Sequence, residues 1–275
     1  MTEIPLRAAA VQLNSTSDED RNWEAAQTLI REAASRGARF IVTPENTNFL
    51  GPHEEKVRRA EPLDGKTCSR FAKLAAECQA LLLLGSFNER SDESDRCYNT
   101  SVLFDPAGRQ VAVYRKIHLF DIDLSEDVSF QESATIKPGE DVVLADTDLG
   151  GLGRIGLSIC YDLRFPELYR KLTEDGAELL CVPSAFTRTT GKAHWKLLLR
   201  ARAVENQCFV LAAAQCGEHD DEGLRQSWGH SAIIDPWGEV LAMAEEEPGV
   251  VVAEIDLERL AEVRRAMPVA EHRRL

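Results

Sequence analysis

Three side chains of this sequence lie where a reactive group is useful, each just past an apolar run. Glu45 follows Phe40-Ile-Val-Thr-Pro44, Lys116 lies in Val113-Tyr-Arg-Lys-Ile-His-Leu-Phe120, and Cys160 ends Gly156-Leu-Ser-Ile-Cys160. In α/β folds the ends of buried strands commonly expose functional groups. A partly buried glutamate can act as a general base, and a fixed lysine charge can stabilise a developing oxyanion. A thiol at a turn into a helix, here the entry at Phe165-Pro166, gains thiolate stabilisation from the helix dipole and free backbone N–H groups. Taken singly, each has an ordinary structural reading. Glu45 can be a helix-entry carboxylate, Lys116 a solvated strand-end cation beside Arg115, and Cys160 one small buried hydrophobe among seven cysteines.

The elements that must position these groups follow from periodicity. Arg7 to Leu13 reads as a strand, Asn22 to Ser35 as a helix with Trp23, Ala26, Ile30 and Ala33 on one face, and Phe40 to Thr43 as a second strand. A like unit runs from Arg154 to Ile159, through a helix from Pro166 to Thr173, to Leu179–Val182. Gly37-Ala-Arg-Phe-Ile-Val-Thr-Pro44 matches Gly176-Ala-Glu-Leu-Leu-Cys-Val-Pro183, and Ser101-Val-Leu-Phe-Asp105-Pro-Ala-Gly108 matches Ser231-Ala-Ile-Ile-Asp235-Pro-Trp-Gly238. Each member of the second pair predicts a hairpin. The pairs recur in order at separations of 139 and 130 residues, which predicts two related halves. Two sheets with helices on one side each can bury their bare faces together, so the expectation is an α/β fold, a four-layer α-β-β-α sandwich of two pseudo-equivalent halves. No linker composition divides them, and residues 1–275 read as a single domain with polar loops at Ser91–Arg96, Ser125–Gln131 and Glu218–Arg225.

Composition narrows the function. The formal charge of −14 disfavours general binding to nucleic acid or to anionic membranes, because the long-range field repels both. The basic end, Arg264-Arg265 and His272-Arg273-Arg274, reads as a solvated or subunit-contacting tail. No run approaches 18 apolar residues and the first residues lack a signal-peptide pattern, so a cytoplasmic location is expected. Seven irregularly spaced cysteines with no C-x-x-C pair predict reduced thiols. His118, His194 and His230 have no second ligand at metal spacing and read as structural, while Trp195 and Trp228 read as packing or pocket wall.

Together Pro44-Glu45-Asn46, Tyr114-Arg-Lys116-Ile-His118-Leu and Cys160-Tyr-Asp-Leu-Arg-Phe-Pro-Glu167 resemble the signature segments of the nitrilase, or carbon-nitrogen hydrolase, superfamily. Pro183-Ser-Ala-Phe186, Gly191-Lys-Ala-His-Trp195 and Arg202-Ala-Val-Glu-Asn206 look like that superfamily too. The resemblance implies the same sandwich, no cofactor and no metal, and a homodimer or higher homo-oligomer. It implies that Cys160 is the nucleophile, that Glu45 takes the thiol proton and passes it to departing ammonia, and that a thioester is then hydrolysed. Lys116 and the Tyr161 N–H would hold the oxyanion, and Glu132, in Phe130-Gln-Glu-Ser133, would orient Lys116 and the substrate.

Arg164, four residues after Cys160, is expected to bind a substrate carboxylate or else to pair with Glu167. Ala212-Ala-Ala-Gln-Cys216-Gly looks most like the amidases of deaminated glutathione, whereas Tyr114 to Asp123 and Phe130 to Ser133 resemble the ω-amidases of α-ketoglutaramate and α-ketosuccinamate as much. The expected partner is thus a small carboxylate-bearing linear amide. A catalytically silent binding or scaffold protein is the alternative of another class, and the intact Glu45, Lys116, Glu132 and Cys160 argue against it.

Overall fold

The alternation of apolar runs and amphipathic segments resolves, in a computed structural model that describes residues 6–125, 128–219 and 225–274, into two six-stranded sheets flanked by helices. The first half runs β1 (Arg7–Gln12), α1 (Glu19–Ser35), β2 (Phe40–Val42), α2 (His53–Arg58), α3 (Lys66–Cys78), β3 (Leu81–Arg90), β4 (Cys97–Phe104) and β5 (Gln110–Arg115). A small hairpin of β6 (Asp121–Ser125) and β7 (Val128–Gln131) follows. The second half runs β8 (Leu144–Asp146), β9 (Arg154–Leu157), α4 (Pro166–Glu174), β10 (Leu179–Cys181), α5 (Arg188–Asn206) and β11 (Phe209–Ala212). After it come β12 (Cys216–Glu218), β13 (Gln226–Trp228), β14 (Ala232–Ile234), β15 (Val240–Met243), β16 (Gly249–Glu254) and α6 (Leu257–Ala266).

The sheet orders are β16-β1-β2-β3-β4-β5 and β8-β9-β10-β11-β14-β15. In each, three parallel strands precede an antiparallel hairpin, and an antiparallel strand guards the other edge. The edge strand of the first sheet is β16, so the chain returns after completing the second half to close the sheet it began. The matched turns are alike in detail. Asp105 accepts the N–H groups of Ala107 and Arg109, and Asp235 those of Trp237 and Glu239, while Gly108 and Gly238 take φ of 77° and 87°.

Strand alternation divides the core into layers. Ala9, Val11, Ile41, Leu82 and Leu84 face Ala26, Ile30 and Ala33 of α1 and Phe71 and Leu74 of α3. Ala8, Ala10, Phe40, Val42, Leu81 and Leu83 join the cluster of the second sheet, its Ile155, Leu157, Leu179 and Leu211 included. This is the expected four-layer sandwich. Sheets buried on both faces explain the nearly continuous apolar runs.

Some expectations change. Helix α1 begins earlier, at Glu19, because Asp18 caps the N–H groups of Asp20 and Arg21. Its buried face carries Asn22 as well; the Asn22 amide donates to the carbonyls of Thr16 and Asn48, while Trp23 is half-buried against the same core and meets Phe71 edge-on. Ser125–Gln131 is not a loop, since β6 and β7 occupy both its ends and cross-strand pairing satisfies backbone groups that a loop would leave to water. Residues 126–127 of that stretch and 220–224 of Glu218–Arg225 lie outside the described residues. In the tail, Arg264 donates to the carbonyls of Gln207 and Ala177 and so docks α6 on the second half.

Candidate active site

Strands β2, β5 and β9 each deliver one of the three reactive side chains. Antiparallel pairing of β3 with β4 and of β4 with β5 makes β5 run in the same direction as β2, so Glu45 and Lys116 leave the same end of the first sheet. The turn that carries Glu45 is clamped by β3: the Asn46 N–H donates to Ser86 Oγ, and the Gly85 N–H to Thr43 Oγ1. Only glycine permits that approach, because a Cβ at Gly85 would lie 1.9 Å from the Thr43 oxygen.

Lys116 is buried between two carboxylates. Its Nζ lies 2.9 Å from Glu45 Oε1 and 2.8 Å from Glu132 Oε2. Glu132 opens a short 3-10 turn after β7, and its Oε2 also accepts the Phe120 N–H at 2.7 Å. Burial alone would lower the Lys116 pKa, but Glu132 and Glu45 outweigh it and hold the ammonium well above the usual lysine range. For Glu132 burial acts upward and is outweighed by Lys116 and Lys56, which keep it below the usual carboxylate range.

Sequence reasoning missed a fourth polar member. The Asn99 amide on β4 donates to Glu45 Oε1 at 2.9 Å and to Glu132 Oε1 at 3.3 Å, bridging the two acids. The Lys116 N–H returns to the Asn99 carbonyl at 2.9 Å. The only signal was polarity inside an otherwise buried strand.

Cys160 opens a 3-10 turn, Cys160–Arg164, rather than α4, which begins six residues later at Pro166. Its φ is 48°, a left-handed conformation that costs a residue with a Cβ about 1–3 kcal/mol. The turn is held by its own backbone and by Asp162. The Cys160 N–H donates to the Pro183 carbonyl at 2.9 Å. The buried Asp162 carboxylate accepts the Ile159 N–H, the Tyr114 hydroxyl and the His118 N–H, and lies 2.7 Å from His118 Nδ1. Since Tyr114 and His118 flank Lys116, this one carboxylate sets the lysine and the cysteine turn against each other across the two sheets.

Burial pushes the Cys160 thiol well above its ordinary range, and the Glu45 carboxylate raises it further, against the opposing effect of Lys116. The expectation of a thiolate stabilised by a helix dipole is therefore corrected. Burial and a carboxylate neighbour outweigh one short turn and favour the thiol over the thiolate.

Glu45, Lys116, Glu132, Cys160 and Tyr161 line one cavity of about 510 Å³, within the roughly 300–1,000 Å³ common for small-molecule sites. Leu50, Phe120, Phe130 and Phe186 supply apolar wall, and Arg188 and Lys192 of α5 line it as well. Glu45 Oε2 accepts the Ala185 N–H at 2.8 Å, so Glu45 spans both halves. The Tyr161 N–H has no hydrogen-bond partner among the described residues, which leaves a donor directly beside the sulfur.

Arg164 is not brought into this cavity. In a turn of three residues per revolution it lies well round from Cys160, and its guanidinium stacks near Tyr161 and Phe186 and meets His194 Nδ1 at 3.3 Å. Among the described residues Arg164 forms no ion pair with Glu167, which lies exposed at the start of α4. His118 and His194 are thus both engaged, and His230 Nδ1 lies 2.8 Å from the Trp228 carbonyl. Trp195 is buried and donates to the His230 carbonyl, and Trp228 packs against Gly191 and stacks on His230. Among the described residues no His, Cys, Asp and Glu grouping has a metal-holding arrangement, and no helix is long and apolar enough to cross a membrane.

Known proteins share this architecture. Residues 7–265 match the model of the Carbon-nitrogen hydrolase family. The chain is 44% identical to the deaminated glutathione amidase of Bos taurus, over 99% of this chain and 83% of that one. It is 42% identical to omega-amidase NIT2 of Homo sapiens, over 98% and 95%. Its structure resembles that of the C. elegans NITFHIT protein with a TM-score of 0.91 and 39% identity, over 100% of this chain and 66% of that one. With the match spanning nearly its whole length, the chain belongs to the carbon-nitrogen hydrolase family and is a hydrolase acting on the carbon-nitrogen bonds of amides.

Proposed function

We propose that this hydrolase cleaves deaminated glutathione at its γ-amide through a thioester on Cys160. The observation that carries the chemistry is the convergence of Glu45, Lys116 and Glu132 on the cavity into which Cys160 opens. Glu45 takes the thiol proton as sulfur attacks the amide carbon, then gives it to the departing nitrogen as the carbon-nitrogen bond breaks. It next takes a proton from water, whose oxygen attacks the thioester, and returns that proton to the leaving sulfur. An ammonium has three donors. Glu45 and Glu132 engage two on Lys116, and the third, with the Tyr161 N–H, holds the tetrahedral oxyanion in both steps. Because Cys160 comes from one half and Glu45, Lys116 and Glu132 from the other, residues 1–275 act as a single domain.

The positioning role of Asn99 is open to test. Asn99→Leu removes the amide that bridges the two acids, and kcat should fall about 10- to 100-fold, the scale of a hydrogen bond to a charged group at about 1.5–3 kcal/mol. Thermal melting checks the fold. An unaltered kcat in a folded variant would remove Asn99 from the site.

For the substrate, the nearest support is the identity to deaminated glutathione amidases, and the second reading is an ω-amidase acting on α-ketoglutaramate. Deaminated glutathione releases cysteinylglycine, a primary amine, whereas α-ketoglutaramate releases ammonia. Measuring both products for the two substrates gives comparable kcat/KM values. Deaminated glutathione is expected to lead, and a preference above tenfold for α-ketoglutaramate, about 1.4 kcal/mol at the transition state, would reverse the order.

The same reading places the enzyme in the cytoplasm, since all seven cysteines are free and a thiol nucleophile needs reducing surroundings. It also takes the working form to be a homodimer. Trp237 and Leu241 near the β14–β15 hairpin and Leu197 and Val204 on α5 give the second half an exposed apolar group suited to pairing.

A further inference from the structure

Lys56 is buried without a counterion among the described residues. It lies on α2, lines the cavity and is 5% exposed, yet it has no ion pair or hydrogen bond among the described residues. The nearby acids are already committed. Glu45 accepts from Lys116, Asn99 and the Ala185 N–H, and Glu132 accepts from Lys116, Asn99 and the Phe120 N–H. An uncompensated buried ammonium costs several kcal/mol. Burial accordingly lowers the Lys56 pKa, with Glu132 and Glu45 only partly opposing. Three residues earlier on α2, His53 also lines the cavity, and its Nδ1 is buried with no hydrogen-bond partner among the described residues. Burial, then Lys56 and Arg225, bring the His53 pKa down to about 4, so the ring is neutral at neutral pH and can offer one N–H.

We propose that Lys56, assisted by His53, is the subsite for the carboxylate on the acyl side of the substrate amide, the role that the sequence suggested for Arg164. Lys56 lines the same cavity as Cys160, Glu45, Lys116 and Glu132, so an anion that it holds shares the space of the reacting centre. A carboxylate one short acyl chain from the scissile carbonyl suits that position better than one beyond a departing dipeptide. Binding there supplies the missing counterion, so affinity for the anion and relief of the buried charge are one event. This inference rests on the amidase reading of the same cavity.

The test compares kcat/KM for glutaramate and for its uncharged diamide in the wild type, Lys56→Met and Lys56→Arg. The ratio of acid to diamide should drop at least 100-fold in Lys56→Met, mainly through KM, and recover to within tenfold of wild type in Lys56→Arg. The melting temperature should rise in Lys56→Met, since an unpaired buried charge is gone, and added glutarate should raise that of the wild type only. Should Lys56→Met not fold, Lys56→Gln carries the same comparison. Turnover of both amides with an unchanged ratio overturns the anion site and leaves the amidase standing. Glutarate binding that Lys56→Met abolishes, with no amide turned over, does the reverse.

Discussion

Cys160→Ala is expected to lower turnover of every amide substrate by about 10⁴- to 10⁶-fold, the range seen when a covalent nucleophile is removed from a working triad. The variant should remain folded. The sulfur faces the cavity, so its loss leaves no sealed void in the core, and alanine meets the φ of 48° at the same cost as cysteine. The melting temperature should stay within about 3 °C, roughly what a change of 1 kcal/mol causes in a chain of this size. Amine release and a thermal melt on the same preparation check both halves of the expectation. A folded variant that keeps more than about 1% of the wild-type rate, far above what loss of a covalent nucleophile leaves, would falsify the thioester route.

Glu45→Gln should lower kcat by about 10²- to 10⁴-fold, toward the upper end because one carboxylate carries the proton in both acylation and deacylation. The substitution also disturbs hydrogen bonding. One oxygen of Glu45 accepts from Lys116 and Asn99 and the other from the Ala185 N–H, so the Gln amide must turn a donor toward a donor on one side. That mismatch should cost about 1–3 kcal/mol of stability, seen as a lower melting temperature. The informative experiment uses an activated ester, whose leaving group needs no proton. Acylation of Cys160 from its small thiolate fraction is then slowed by the loss of the thiol's base but still accumulates, while hydrolysis of the thioester stalls, and intact-protein mass spectrometry should find the acyl adduct. Rapid turnover of the ester with no adduct would mean that another group activates water.

Both expectations were readable before any fold was known, because Glu45, Lys116 and Cys160 each stand at the end of an apolar run within a distinctive segment. Their neighbours were not. Asn99 and Lys56 belong to no chemical pattern along the chain, and Asp162, though inside the Cys160 segment, had no role assigned to it. Asn99 lies 54 residues from Glu45, and Asp162 lies 48 from Tyr114. Arg164 shows the converse failure: nearness in sequence to Cys160 suggested a shared cavity, and the rotation of a 3-10 turn sent the side chain elsewhere.

The duplicated pattern also had a limit. The matched strands fix two sheets of one topology, and the registers Ala8↔Phe40 and Ile155↔Leu179 put Leu13 where the second half has Cys160. Symmetry of the backbone thus carries only one thiol. By itself the sequence determined the α/β sandwich and the two hairpin turns, because periodicity and turn chemistry act over a few residues, and resemblance to signature segments pointed to the reactive groups. Tertiary structure alone decided that burial and Glu45 push the Cys160 thiol pKa up, that Asn99 bridges Glu45 and Glu132 while Asp162 ties Tyr114 and His118 to the Cys160 turn, and that Lys56 is buried on the cavity wall without an ion pair among the described residues. Burial and charge pairing depend on what the other half of the chain brings within a few ångströms, and no local pattern records that.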